Sequence, residues 1–228
     1  MSIDFIIPTI KNSVKYFELV AAITGTIYFS KYRYTVLKYF LFLLWYITIT
    51  EFTARYASDY NVLGFFNEKG RHYNYWFYNL LRIVTFSTLF FIYLKSIRTI
   101  KYKKWIKTFI IIYLGMTFIN WLFIQNFAFE MSETPKVIGS VFLIITILFY
   151  FIELLRSEKI IVFHKTLLFW ISIGLLLFYT GIIPFSLKVN GYALIPGIHK
   201  LFLIIYILAI IMYSIFTFGF IWSKKESH

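Results

Sequence analysis

Seven stretches of about twenty mostly apolar residues recur along this chain, and no other feature restricts its folding so strongly. They cover residues 12–30, 36–56, 75–94, 105–127, 137–155, 167–187 and 199–222. As a helix, each is long enough to cross a hydrocarbon layer of about 30 Å. None shows the sustained alternation of a membrane barrel strand. In lipid a backbone N–H must find its partner within its own segment or in a closed barrel, so helix is the expected form. The first stretch is the weakest, because it carries Glu18 and starts beside Lys11 and Lys15. A water-soluble core could not absorb this much apolar surface. Hydrophobic residues make up 60% of the 228 and charged residues 14%, and mean hydropathy is +0.75. The expectation is an all-α polytopic membrane protein, a single seven-helix bundle over 1–228 with no soluble domain.

Charge sets its orientation. Fourteen basic residues fall on one side of the seven spans and seven on the other, with the excess in short loops. The richer side includes Lys95, Arg98, Lys101, Lys103, Lys104 and Lys107 in the run KSIRTIKYKKWIK. Positive loops stay in the cytoplasm, so the N-terminus is expected outside and the C-terminus inside, in an inner-membrane-type bilayer. The same distribution accounts for the net charge of +13 without nucleic acid. The opening MSIDFIIPTIKNS lacks the parts of a cleaved signal peptide, so the first span is expected to direct its own insertion.

Polar groups inside spans are costly, and their depth carries information. Glu18 falls in the outer half of the first span, and Glu51 and Arg55 lie near the outer end of the second. Those two are four apart on one helix face and able to pair. Asn79 and Arg82 lie in the outer half of the third span, and Asn120 near the outer end of the fourth. Tyr179, His199 and Tyr206 reach the same level from the last two. The inner halves are nearly pure Leu, Ile, Phe and Val. This gradient predicts a polar cavity open to the outer face over an apolar plug, or else a buried network that only sets helix register. Ala21, Ala22 and Gly25 present small residues on which another helix can approach closely.

Several chemistries lack their residues. With no cysteine there is no disulfide, thiolate site or cysteine nucleophile. The four histidines, at 72, 164, 199 and 228, have no metal-ligand spacing. The middle of the last span, LIIYILAIIMYS, has no lysine for a retinal Schiff base. Neither a GxSxG setting nor a P-loop or dinucleotide fingerprint occurs. No catalytic residue, metal or cofactor is therefore expected.

The segments TEFTAR around Glu51 and NYWFYNLLR around Asn79 and Arg82 resemble small bacterial seven-helix membrane proteins. The layout is also similar to the seven-helix membrane sensor modules of bacterial signalling proteins. Those modules are usually fused to kinase or cyclase domains, whereas only SKKESH follows Trp222 here. The resemblance implies a non-enzymatic receptor or regulatory subunit that takes a small ligand from outside. It would signal through a separate membrane or cytoplasmic protein. A small transporter or channel, and an accessory subunit of a larger membrane complex, are the alternatives.

Overall fold

The computed structural model describes residues 3–157, 163–187 and 199–225. Seven long helices account for most of them: α1 (Ile3–Ile27), α2 (Lys38–Tyr60), α3 (Tyr75–Ser96), α4 (Ile100–Phe123), α5 (Glu133–Leu155), α6 (Leu167–Leu187) and α7 (His199–Trp222). Five of them, α3 to α7, contain a stretch long and apolar enough to cross a membrane. The chain is thus an all-α bundle of membrane-protein character. α1 and α2 fall short of that composition because they carry Lys11, Lys15 and Glu18, and Glu51, Arg55 and Asp59.

Helices begin where backbone hydrogen bonding begins, which is not where apolar composition begins. α1 therefore starts nine residues before the predicted span, α4 takes in the basic segment 100–104, and α5 starts at Glu133 instead of 137. Pro184 lies in the last turn of α6, so the bond its missing N–H would make to the Thr180 carbonyl is lost close to the helix end. Pro196–Gly197, expected to turn the chain into the last helix, lies outside the described residues.

Six helices close a ring in the order α1, α2, α3, α5, α6, α7 and back to α1, while α4 packs outside on α3 and α5. This peripheral place leaves Ile111, Leu122 and Phe123 of α4 at least 72% exposed, as expected of a flank that meets lipid. Inside the ring, aromatic side chains fill the half nearer the start of α2. Phe40 and Phe216 meet edge to face at 5.0 Å, and Tyr32 lies 5.5 Å from Phe220. Ala21 and Ala22 are fully buried, and a Cβ at Gly25 would stand 2.9 Å from Leu41 and Phe220. The small face of α1 is consumed within the bundle. The Tyr32 hydroxyl donates to the Gly25 carbonyl, and Tyr93 and Ser172 share a buried hydrogen bond of 2.7 Å between α3 and α6.

Between α2 and α3 the chain makes a small hairpin, β1 (Phe65–Phe66) against β2 (His72–Tyr73). Asn61 ends α2 in the left-handed region at φ 53°, a conformation that asparagine tolerates. Asn67 orders the hairpin turn by accepting the N–H groups of Lys69 and Arg71 at 3.0 and 2.9 Å.

Candidate functional site

A chamber of about 890 Å³ occupies one end of the ring. Its walls come from α1 between Pro8 and Glu18, α2 between Phe40 and Asp59, α3 between Tyr78 and Leu89, α6 between Leu175 and Ile182 and α7 between Ile205 and Phe216. The polar residues of these stretches share one end because successive helices alternate in direction. Exposed residues at Lys11, Arg55, Ser58 and Asp59 mark its mouth. Its floor is apolar, formed by Phe40, Leu44, Leu89 and Phe216.

Glu18 lies at depth in this chamber, 3% exposed. It faces the hydroxyls of Thr48 and Tyr213, and the Glu51 carboxylate is near enough to repel it. Its Oε1 is buried without a hydrogen-bond partner. Glu51 also lines the chamber, and the cation acting on it is Lys11. Tyr206 and Tyr179 line it from α7 and α6; Tyr179 is buried, with its ring 5.4 Å from Phe86.

Both arginines are engaged elsewhere than expected. Arg55 does not form the predicted i, i+4 pair with Glu51. It donates to Asn12 Oδ1 at 2.7 Å and stands 3.9 Å from Asp59. The position of Arg55 on α2 carries it outward, so its i, i+4 partner is the later acid. Arg82 lies over the start of α5, donating to Glu133 Oε1 at 2.8 Å and to the Ser132 carbonyl at 2.9 Å. Lys136 completes this cluster at 3.1 Å from Glu133 Oε2. Glu133, which lies before the predicted fifth span, is the first residue of α5 and the counter-ion of Arg82.

Asn79 does not line the chamber. Fully buried, it donates to the carbonyls of Phe127 and Glu130 at 2.8 and 2.9 Å and accepts the Ser132 N–H at 3.0 Å. Three bonds from one side chain hold the α4–α5 connection against α3. Asn120 also lies apart from the chamber. Its Nδ2 donates to Gln125 at 2.9 Å, while its buried Oδ1 has no partner among the described residues. The side chain of His199 lies outside the described residues. Reasoning from sequence missed Thr48, Tyr78 and Tyr213, which line or face the chamber. Hydroxyls inside apolar helices are too common to single out, but Thr48 lies three residues before Glu51, Tyr78 four before Arg82 and Tyr213 seven after Tyr206, each on the helix face of a predicted site residue.

The opposite end of the bundle has a second concavity, of about 990 Å³, into which Arg98, Arg156, Lys165, Lys224 and Lys225 converge. The one carboxylate in its wall, Glu153, accepts the N–H groups of Arg98 and Thr99 at 2.7 and 2.9 Å. Those donors belong to the free N-terminal turn of α4, where a negative charge is stabilising. Nearby, Lys31 donates to the carbonyls of Phe220, Ile221 and Ser223 at 3.1, 2.8 and 2.8 Å, closing the C-terminus of α7. Loss of water around its ammonium lowers its pKa from the ordinary lysine value. Of the expected basic surface, Lys95, Lys101, Lys104 and Lys107 are exposed and Lys103 is half-buried; only Arg98 reaches the concavity.

The chain matches no family model, no curated protein and no solved structure.

The two concavities have no lining residue in common. Between them lies the aromatic packing around Phe40, Phe216, Tyr32 and Phe220, all buried. Chemically, the chamber offers the Glu18 and Glu51 carboxylates below a mouth that holds Asp59, with several phenolic hydroxyls and aromatic walls. Among the described residues no group of three or more His, Asp or Glu could hold a metal ion.

Proposed function

We propose that this chain is a seven-span membrane receptor or regulatory subunit, with its N-terminus and chamber outside and its C-terminus and basic end in the cytoplasm. A small ligand enters the chamber and shifts the packing of the ring. A separate protein reads that shift at the basic end. The observation that carries this reading is a chamber with the exposed polar residues Lys11, Arg55, Ser58 and Asp59 at one end and an apolar floor of Phe40, Leu44, Leu89 and Phe216 at the other. A site of this volume suits a small molecule. A transporter's site opens alternately to both faces. Here the buried rings of Tyr32 and Phe220 pack beyond the chamber's floor.

The orientation follows from the basic end, where Arg98, Arg156, Lys165, Lys224 and Lys225 gather as expected of cytoplasmic loops. Glu18 and Glu51 explain why α1 and α2 are less apolar than the other five helices. Within a ring, a helix need not be apolar all round to cross lipid, provided its polar face turns inward.

Two measurements test the proposal. The native chain has no cysteine, so Glu51→Cys gives a single reporter. A membrane-impermeant thiol reagent applied from the side of the N-terminus is expected to label it. Labelling only from the opposite side would reverse the orientation. In liposomes the purified protein is expected to pass neither ions nor small solutes. Sustained flux would move the assignment to a transporter or channel.

A further inference from the structure

We infer that the chamber takes an organic cation, a protonated amine on an apolar body, and that Glu18 is the residue that binds its ammonium group. The inference rests on the chamber being a ligand site, and adds the chemistry of what fills it. Glu18 is 97% removed from solvent, taking its 3% exposure, and one of its carboxylate oxygens has no hydrogen-bond donor. An unsatisfied oxygen at that depth is costly, and ionising a carboxyl group so buried calls for a positive partner.

The chain's cations among the described residues do not form an ion pair with Glu18. Among the described residues no lysine or arginine lies within ion-pair distance of Glu18 or Glu51. Arg82 and Lys136 are both committed to Glu133, and Arg55 to Asn12 and Asp59. Lys15 lies over the rings of Tyr16 and Phe52, at 5.0 and 5.8 Å. The deep part of the chamber is therefore acidic, although more basic than acidic side chains line the chamber as a whole.

The surroundings match an ammonium with a hydrophobic body. Thr48 and Tyr213 bring oxygen atoms to the side of Glu18, where an N–H donor can be shared. The walls near this point are Phe86, Phe178, Tyr78 and Tyr206, whose ring faces attract a cation. Leu43, Leu175 and Met212 provide apolar contact for the remainder of the molecule. An anionic ligand would meet the Glu18 and Glu51 carboxylates at depth, with Lys11 acting on Glu51 and, among the described residues, no ion pair at Glu18.

The test uses the full chain in lipid nanodiscs and three matched probes: 2-phenylethylamine, 2-phenylethanol and 3-phenylpropionate. Equilibrium binding is expected to show saturable uptake of the amine, with the alcohol and the acid weaker by roughly tenfold or more. Glu18→Gln keeps the shape and removes the charge. It is expected to weaken the amine by roughly 10–100-fold, the loss of a charge-assisted hydrogen bond, while leaving the alcohol unchanged. Equal binding of amine and alcohol overturns the inference, as do preference for the acid, indifference to Glu18→Gln, or no binding of the amine. If the variant does not fold, discrimination among the three probes by the native protein decides. Thiol labelling of Glu51→Cys separates the two levels of the argument: a labelled protein that ignores the amine defeats the ligand class alone, and an unlabelled one defeats the chamber as well.

Discussion

The two ends of this bundle use charge in opposite ways. At the chamber end, charged and polar side chains turn inward, where they line a cavity or clamp a loop. Arg82, Glu133 and Lys136 form one compact cluster there, each at most about one-fifth exposed. At the basic end most cations face water, and the best-ordered polar side chains serve backbone ends: Glu153 the start of α4, Lys31 the end of α7. The difference teaches that intramembrane polarity is not uniform in purpose. Exposed cations of the basic end can be rearranged at little cost. Buried groups of the chamber end are interdependent, since removing one leaves another without a partner in a dry place.

The sharpest way to break this comparison is Asn79→Leu. It removes three hydrogen bonds and strands the Phe127 and Glu130 carbonyls and the Ser132 N–H. A loss of about 3–5 kcal/mol is expected, the sum of several unsatisfied buried groups, read as thermal unfolding in detergent micelles. Loss below about 1 kcal/mol, the usual size of a surface change, would mean that water replaces the clamp. A smaller effect is expected from Glu153→Gln at the basic end, about 1 kcal/mol, because a neutral amide still accepts one N–H at the start of α4. If Glu153→Gln cost as much as Asn79→Leu, the contrast between the ends would fail. The smallest effect belongs to Arg55→Ala. Its partner Asp59 is 63% exposed at 3.9 Å, so the change is expected to stay within about 0.5 kcal/mol. Arg55 lies at the mouth, and this result would confine the costly polar groups to the buried level below it.

Much of the chamber could be seen in the sequence, and the reasons it could are specific. Lipid excludes carboxylates, so Glu18 and Glu51 stood out in apolar surroundings, and alternating helix direction placed them at one level. Tyr179 and Tyr206 were found by the same argument of depth. The pairing of Arg55 was not legible, because i, i+4 spacing holds equally for Glu51 and Asp59 on either side of it. Nor was the partner of Arg82. Glu133 lies 51 positions away, in a segment that composition alone reads as loop. Asn79 and Arg82 are three apart and were expected to act together at a cavity. In the structure both hold the segment before α5, and only Arg82 also reaches the chamber wall.

By itself the sequence determined the helical class, the seven long helices, five of them apolar enough to cross a membrane, and the level at which Glu18 and Glu51 gather. Each of these depends on local quantities: hydropathy over some twenty residues, and depth counted along one helix. Only the tertiary structure decided which charges are spent on one another and which are left over. That outcome depends on how each helix is rotated about its axis and on which neighbour it meets, properties of the whole ring. Glu18 was visible from the start as an acid where lipid should exclude one. That it has no ion-pair partner among the described residues depends on Arg55 and Arg82 facing elsewhere.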